Sequence, residues 1–328
     1  MTTQTHWYKA RPNKRDLTES HPMTVKVFGH KSPDTDSTGS PLIWAWYLSE
    51  CRGTPAEARL LGEPNTEALF VLRRWGFDRP ELLEDVTADD ECIIVDTNNV
   101  AELPDSINDA RVTEVIDHHM LQGGLKTKGP INITVRPVAC TATIMYDLMG
   151  PDADKMPDNI KGAMLSCILS DTLEFRSPTT TDVDRQLAEK LAGELGINIR
   201  DYAAEMFAAK SDVSSYSDSE LLRMDSKAYE VDGLKFRVSV LETTSPGTVL
   251  ARKAGLMEDL VAVAEDDGVD HVLFFLIDIL SEEALLFIQN DVVRGVAEKS
   301  FDVKATGDMV ALPGVVSRKK QIIPALKV

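Results

Sequence analysis

The sequence predicts an α/β fold divided into two domains, and three observations lead to this prediction. From residue 25 to about residue 195, short apolar runs alternate with helical patterns, as in a mostly parallel sheet flanked by helices. The stretch 211–219 is small, polar and unpatterned, which is typical of a linker. Beyond it, mixed strand and helix patterns predict a smaller α+β domain. We therefore expect a flexible extension at 1–22, a first domain at 23–210, a linker at 211–219 and a second domain at 220–328.

The elements of the first domain follow from apolar runs and their flanking residues. Residues 25–28 predict a strand that ends before Gly29. Ser37 is a favoured N-cap, so we expect a helix over 38–51. Gly196 suits the C-cap of the last helix of the domain. Further strands are predicted at 57–61, 92–95 and 112–116, and further helices at 66–75, 140–149, 159–170 and 183–195.

The second domain begins with a predicted hairpin. Asp232-Gly233 is a favoured two-residue turn, and it joins predicted strands at 227–231 and 234–241. A helix at 248–267, strands at 271–280 and 284–289, a helix ending near 299 and an ordered tail at 315–323 complete the expected domain.

Composition excludes several classes of function. A net charge of −18 argues against nucleic acid as the main partner, because nucleic-acid binding needs a basic footprint. No apolar run reaches the roughly 18 residues of a membrane span. The first 22 residues lack the apolar centre of a secretory signal. The four cysteines are far apart and form no CxxC pair, so we expect neither a zinc site nor a disulfide framework, and we expect a cytoplasmic location.

Residues 29–37 carry the first candidate site. His30, Asp34 and Asp36 follow a predicted strand and precede a helix, which is where open α/β sheets bind ligands. One imidazole and two carboxylates suit a divalent cation of intermediate hardness such as Mn²⁺. The alternative is a solvated acidic turn with a histidine beside it, because short Asp-rich turns are common.

Three further clusters have the same character. Asp96 ends a predicted strand, Asp117, His118 and His119 end another, and Asp171 follows a long apolar helix. Each is weak alone, since a strand-end aspartate is often a helix cap. Together they place carboxylates and imidazoles at element ends that can converge.

The charge of these residues predicts how many cations they hold. Four carboxylates (Asp34, Asp36, Asp96 and Asp171) repel one another in isolation, and two divalent cations would neutralise them. Two metals about 3.5–4 Å apart can share a bridging water and lower its pKa, which suits attack on phosphorus.

A basic cluster near the C-terminus complements this acidic group. Arg318, Lys319 and Lys320 could bind phosphate oxygens, and Lys227 could add a further cation. The alternative is a solubilising terminus, although the flanking apolar residues favour an ordered segment.

These motifs together resemble one known family. The loop 29–37 (GHKSPDTDS), Asp96, the DHH triplet 117–119, the SDT at 170–172 and the SRKKQ at 317–321 are similar to the DHH phosphoesterase superfamily. More narrowly, they resemble the family II, manganese-dependent inorganic pyrophosphatases, because other DHH branches lack the SRKKQ ending. The resemblance runs from about residue 25 to residue 325.

The resemblance implies a DHH domain, a DHH-associated second domain and an active site in the cleft between them. It implies hydrolysis of pyrophosphate to two phosphates, with two Mn²⁺ per subunit, Co²⁺ or Mg²⁺ as substitutes, and additional Mg²⁺ entering with the substrate. It also implies a homodimer formed through the DHH domain. The acidic net charge and the lack of a long apolar run separately predict no nucleic-acid or membrane partner.

The resemblance also assigns roles to individual residues. One metal would be held by His30, Asp34 and Asp96, and the other by Asp36, Asp96, His118 and Asp171. The catalytic and substrate-binding residues would be His119, Lys227, Arg318 and Lys319, and Asp117 would orient a ligand from behind. One departure is Thr97, where many relatives have histidine.

Two other kinds of function stay open at this point. The first is a different DHH enzyme, either a phosphodiesterase or an exopolyphosphatase; the phosphodiesterases usually carry a GGGH-type loop that we do not find in the second domain. The other is a non-catalytic phosphate- or metal-binding regulator, which the complete ligand set argues against.

Overall fold

A computed structural model describes residues 24–328, so the predicted extension at 1–22 lies outside the described residues. Two sheets organise the chain, one of six strands and one of five. The first sheet is flanked by helices, and the second belongs to a smaller region that follows it. The predicted α/β fold with a second α+β domain is therefore confirmed. The boundaries at 210, 211 and 219 stay a prediction.

The first region contains six strands and six α-helices. In chain order these are β1 (Val25–Phe28), α1 (Thr35–Trp46), β2 (Ala56–Leu60), α2 (Thr66–Trp75), β3 (Glu81–Leu82), β4 (Glu91–Val95), β5 (Arg111–Asp117), β6 (Asn132–Val135), α3 (Thr141–Met149), α4 (Asp158–Asp171), α5 (Asp182–Leu195) and α6 (Ile199–Lys210). The strand order is β3-β2-β1-β4-β5-β6, and every neighbouring pair is parallel. The chain runs outward from β1 in one direction and from β4 in the other, so the topological switch point lies between β1 and β4.

The second region is built around a mixed sheet. Its elements are α7 (Asp218–Leu221), β7 (Asp225–Val231), β8 (Leu234–Thr243), α8 (Pro246–Leu250), α9 (Lys253–Asp266), β9 (His271–Asp278), β10 (Glu283–Phe287), α10 (Asp291–Phe301), β11 (Met309–Pro313) and α11 (Ile323–Ala325). The order is β11-β10-β9-β8-β7, with only β8 and β9 parallel among these neighbours. Within the described residues, no helix is both long and apolar enough to cross a membrane.

The core of the first region fixes two helices that carry site residues. In α4, every residue from 162 to 170 is buried, because the helix lies between other helices and exposes no broad polar face. Helix α1 packs against it so closely that a Cβ on Gly39 would lie 2.4 Å from the Cys167 sulfur. The close packing of Gly39 on Cys167 brings the start of α1 near the end of α4.

Several predicted elements differ in their bounds. Helix α1 begins at Thr35, not after Ser37, because the Asp34 carboxylate accepts from the Ser37 N–H and is the real N-cap. The predicted helix 248–267 is two helices that break near Ala251, and the tail forms a π-helical turn over Arg318–Ile322. The hairpin turn is confirmed, with positive φ at Asp232 and Gly233. Strands β3, β6 and β11 and helix α6 were not predicted.

Candidate active site

Three strands deliver side chains to the switch point of the first sheet. His30 follows β1, Asp96 follows β4, and His118 follows β5. The His30 Nε2 atom lies 3.6 Å from Asp96 Oδ2, and the His118 Nε2 atom lies 3.4 Å from Asp96 Oδ1. Because the carboxyl ends of parallel strands share one edge, His30, Asp96 and His118 converge here although 66 and then 22 positions separate them in the sequence.

The helices α1 and α4 add three further carboxylates. Asp34 Oδ2 lies 3.8 Å from His30 Nε2. Asp36 is buried, and its oxygens accept hydrogen bonds from the Ser40 hydroxyl at 2.6 Å and from the Thr141 N–H at 2.7 Å. The ligand atoms of three groups each lie within 4.8 Å of one another: His30, Asp34 and Asp96; Asp36, Cys140 and Asp171; and Asp96, His118 and His119.

Asp96 is the central residue of this arrangement. It is 1% exposed, and its φ of 59° places a non-glycine residue in the left-handed region. Such a conformation costs free energy and persists where the surrounding structure imposes it, often at functional sites. Its two carboxylate oxygens face different histidines, so one side chain can serve two cations.

The two histidines of the DHH triplet are oriented differently. His118 Nδ1 lies 3.2 Å from the Val138 carbonyl, so this nitrogen carries the proton and Nε2 is left as a lone-pair donor facing Asp96. The His119 side chain is 54% exposed, and its Nδ1 lies 2.9 Å from Asp117 Oδ1. This hydrogen bond raises the pKa of His119. His119 and His30 line a cavity of about 450 Å³.

Asp117 is the buried hydrogen-bond partner of the two histidines that follow it. It is fully buried and accepts the backbone N–H groups of both His118 and His119. Burial alone would raise the pKa of Asp117, but hydrogen bonds from His119 and Asn98 lower it. It therefore orients the His119 ring from behind. Thr97, the departure noted above, donates to Glu102 at 2.7 Å and lines the same cavity.

The electrostatics of the carboxylates fit a bound divalent cation. Burial raises the pKa of both Asp96 and Asp171 well above the usual carboxyl range, and the neighbouring Asp36 raises both further. The Oδ2 atom of Asp171 is buried and makes no hydrogen bond within the described residues. An unpartnered buried carboxylate oxygen is costly unless a cation pairs with it. The donor set of carboxylate oxygens and neutral imidazoles suits Mn²⁺.

The basic residues of the second region lie apart from this cluster. Arg318 is joined to Asp225, with Nη2 2.8 Å from Oδ1 and Nη1 donating to the backbone carbonyl at 2.6 Å. Lys227 is two residues further along β7, and Lys319 is exposed. In residues 24–328, no ion pair connects these three cations to Asp34, Asp36, Asp96 or Asp171.

Two buried side chains in and near this site were missed in the sequence. Cys140 donates its S–H to Asp36 at 3.3 Å, and Glu67 contacts the segments on either side of the carboxylates. Each contact joins residues at least 32 positions apart, so no local pattern indicates it.

A close approach after β1 supports a testable prediction. The Ser37 Oγ accepts the His30 N–H at 2.8 Å, and a Cβ built on Gly29 would lie 1.9 Å from that oxygen. We expect Gly29→Ala to cost about 1–3 kcal/mol of stability by overpacking and to weaken Mn²⁺ binding, because His30 and Ser37 must move. Urea unfolding and Mn²⁺ titration measure the two effects. Gly193→Ala, at an open position in α5, should instead leave Mn²⁺ binding unchanged.

Comparisons with known proteins agree with this geometry. The family model described as "DHH family, N-terminal domain" matches residues 24–170, and the family model described as "DHHA2 domain" matches residues 204–328. The manganese-dependent inorganic pyrophosphatase of Methanocaldococcus jannaschii is 36% identical over 310 residues, covering 92% of this chain and 97% of the relative. The chain belongs to the family of manganese-dependent, family II inorganic pyrophosphatases.

Two further relatives match over a similar share of the chain. The protein named probable manganese-dependent inorganic pyrophosphatase in Shouchella clausii is 38% identical over 306 residues, covering 93% of this chain and 97% of the relative. A crystal structure of a family II inorganic pyrophosphatase candidate from Methanococcus jannaschii aligns with a TM-score of 0.57 and 35% identity. It covers 92% of this chain and 98% of that chain. Nearly the full length of the pyrophosphatase relatives is therefore represented here.

Proposed function

We propose that this protein hydrolyses inorganic pyrophosphate to two orthophosphates by using two Mn²⁺ ions and cationic residues of the second domain. The observation that carries the proposal is the position of Asp96, whose two oxygens face His30 and His118 at 3.6 and 3.4 Å. Two Mn²⁺ ions would supply Lewis acidity and a water that is nucleophilic near neutral pH.

The family resemblance assigns the proposed ligand sets, and the clustering of His30, Asp34 and Asp96 supports the first of them. His30, Asp34 and Asp96 would hold one ion, and Asp36, Asp96, His118 and Asp171 the other. The four carboxylates carry four negative charges, so two divalent cations would neutralise the repulsion between them. Co²⁺ or Mg²⁺ would be substitutes for Mn²⁺, and further Mg²⁺ would accompany the substrate.

The second domain would supply the residues that bind the substrate. Arg318 can bind phosphate oxygens with its two-nitrogen fork, and Lys227 and Lys319 add positive charge on the same region. Closure of this domain through residues 211–219 would carry these cations to the carboxylate cluster and exclude water. His119, half exposed and held by Asp117, would face the substrate and protonate the leaving phosphate.

The decisive experiment is phosphate release by chelator-stripped protein. Pyrophosphate, tripolyphosphate and a dinucleotide are each supplied with Mn²⁺ plus Mg²⁺ or with Mg²⁺ alone. We expect fast release from pyrophosphate that rises strongly after Mn²⁺ loading. Hydrolysis of the dinucleotide alone would identify a phosphodiesterase. Hydrolysis of tripolyphosphate alone would identify an exopolyphosphatase. Mn²⁺ binding without any hydrolysis would indicate a regulator.

Substitution of Arg318 tests whether the second domain binds the substrate. Because lysine cannot reproduce the bidentate fork, we expect Arg318→Lys to lower kcat/KM about 10- to 100-fold, the value of one to two charge-assisted hydrogen bonds. The free energy of unfolding should fall by about 1–2 kcal/mol, because the Arg318 side chain is largely buried although its partner Asp225 is exposed. Arg111→Lys is the control, because it makes the same substitution in another arginine–carboxylate pair. Arg111 pairs with Glu91 and begins β5, at the end of that strand away from His118. An unchanged kcat/KM would remove Arg318 from the substrate site.

We further propose a homodimer formed through the first domain and a cytoplasmic location. Strand β6 lies at the edge of the six-stranded sheet, where unpaired backbone groups can pair with a strand of another chain. Its Ile133 and Val135 side chains are exposed on one face, which is typical of an interface. Light scattering should give a dimer mass that Ile133→Lys reduces to the monomer; a wild-type monomer would contradict this. The four unpaired thiols suit a reducing compartment.

A further inference from the structure

Glu67 is a fully buried carboxylate at the start of α2, 0% exposed to solvent. A glutamate is almost never buried without partners, because removing its charge from water is costly. None of the roles proposed above involves this residue. Its partners therefore indicate what it does.

Two of those partners belong to the segments that carry the acidic cluster. Glu67 Oε2 accepts a hydrogen bond from the Thr35 hydroxyl at 2.9 Å and from the Ser170 hydroxyl at 2.7 Å. Thr35 lies between Asp34 and Asp36, and Ser170 immediately precedes Asp171. One carboxylate oxygen thus joins the start of α1 to the end of α4.

The third partner belongs to the end of the first region. The Lys210 ammonium lies 3.3 Å from the same Glu67 oxygen, and the neighbouring Thr66 hydroxyl donates to the Lys210 carbonyl at 3.4 Å. Lys210 is the last residue of α6. The next residue, Ser211, contacts the Thr244 hydroxyl of the second region at 3.0 Å. The contacts of Glu67 therefore continue into the linker.

We propose that Glu67 is a positioning residue that holds the segments of Asp34, Asp36 and Asp171 at the spacing required for Mn²⁺, and that its pair with Lys210 connects this spacing to the linker. The first part concerns metal binding alone, whereas the second rests on the proposed pyrophosphatase function.

The physical reason is the repulsion among the site carboxylates. When both are ionised and no cation is bound, Asp36 and Asp171 repel one another, which favours separation of the start of α1 from the end of α4. The two hydroxyl groups that converge on Glu67 oppose that movement. Groups that hold metal ligands in place typically contribute 10- to 100-fold in metal affinity. Loss of Glu67 should therefore act on affinity as well as on stability.

A Mn²⁺ titration of the stripped protein, followed by the EPR signal of the free ion, tests the first part. In Glu67→Gln, the amide nitrogen must either face the three donors or occupy the position of Oε1, which has no partner among the described residues. We expect Mn²⁺ affinity to fall about 10-fold. Glu63→Gln, an exposed glutamate four residues earlier, makes the same charge change and should retain wild-type affinity.

A purely structural role gives a different result. Glu67 also lies in the first turn of α2, where a negative charge stabilises the helix. If Glu67→Gln lowers the melting temperature but leaves Mn²⁺ affinity within twofold of wild type, the positioning role is wrong. Thr35→Val and Ser170→Ala each remove one hydroxyl, so each should weaken affinity if Glu67→Gln does. They give the same answer should Glu67→Gln fail to fold.

Lys210→Met tests the connection to the linker. Its Mn²⁺ affinity should stay within about threefold of wild type, since both hydroxyl contacts to Glu67 remain, while kcat and KM for pyrophosphate change together as for residues that control closure. Unchanged kcat and KM would overturn the second part. If the wild type does not hydrolyse pyrophosphate at all, the proposed function fails, but the EPR titration still decides the role of Glu67.

Discussion

Replacing Asp96 with asparagine should lower pyrophosphate turnover about 1,000-fold, the effect of losing several kcal/mol of metal-ion catalysis. Asparagine keeps the size of the side chain and tolerates the left-handed backbone, but it cannot bridge two cations as a carboxylate does. We therefore expect the number of bound Mn²⁺ ions to fall below two, which metal analysis of the dialysed protein would measure.

The same substitution should stabilise the metal-free protein. Burial and Asp36 raise the pKa of Asp96, so the folded state holds its proton more tightly than the unfolded state. An acid with a raised folded pKa destabilises the fold above its unfolded pKa, by about 1.4 kcal/mol for each unit of the shift. At pH 7, stripped Asp96→Asn should thus unfold at higher urea than the stripped wild type. The difference should vanish in acid, once the carboxyl is protonated in both states.

The control for both measurements is Asp109→Asn, an exposed aspartate whose ion pair within residues 24–328 is with Lys128 at 3.8 Å. It should match the wild type in turnover, metal content and stability. Near-normal turnover in Asp96→Asn would show that the residue is no bridging ligand. A stripped Asp96→Asn protein no more stable than wild type would mean that the carboxylate repulsion is relieved some other way.

With two sites filled, Mn²⁺ should raise the melting temperature of the stripped protein by roughly 10–20 °C at a concentration 100 times its dissociation constant. Binding to the folded state alone at that concentration contributes about 2.7 kcal/mol per site, and each kcal/mol corresponds to about 2–4 °C for a region of this size. The gain should arise from the first region, because the candidate ligands His30, Asp34, Asp36, Asp96, His118 and Asp171 all lie there.

A scanning-calorimetry experiment can separate the two regions. If they unfold in two transitions, Mn²⁺ should move only the one that belongs to residues 24–210. The shift should be smaller in Asp96→Asn and unchanged in Arg318→Lys, because the latter lies in the second region. A shift of equal size in wild type and Asp96→Asn would place the Mn²⁺ elsewhere.

The fold and the acidic cluster could be predicted because their signals are local. His30, Asp96 and His118 each follow an apolar strand, and the parallel arrangement of those strands brings them together without further information. The remaining features depend on contacts across the chain. Glu67 meets Ser170 across 103 positions, and nothing in the run 66–75 marks it as more than a first-turn acid.

Errors in element bounds have equally specific causes. Both Asp34 and Ser37 are good caps, and the structure uses the earlier one, which makes Asp34 part of the helix start as well as of the acidic cluster. Strand β6 was missed because it lies at the sheet edge and is mostly exposed, so its residues do not form a buried apolar run.

The ion pair between Arg318 and Asp225 has a consequence for selectivity among anions. Arg318 is already occupied by a carboxylate from its own domain, which competes with any incoming ligand at a fixed, high local concentration. Chloride, acetate or a single sulfate offers the arginine little that Asp225 does not already give it. A diphosphate that also binds the proposed metal ions and lysines would displace the internal competitor, so Asp225 would favour ligands that contact several partners at once over anions that contact Arg318 alone.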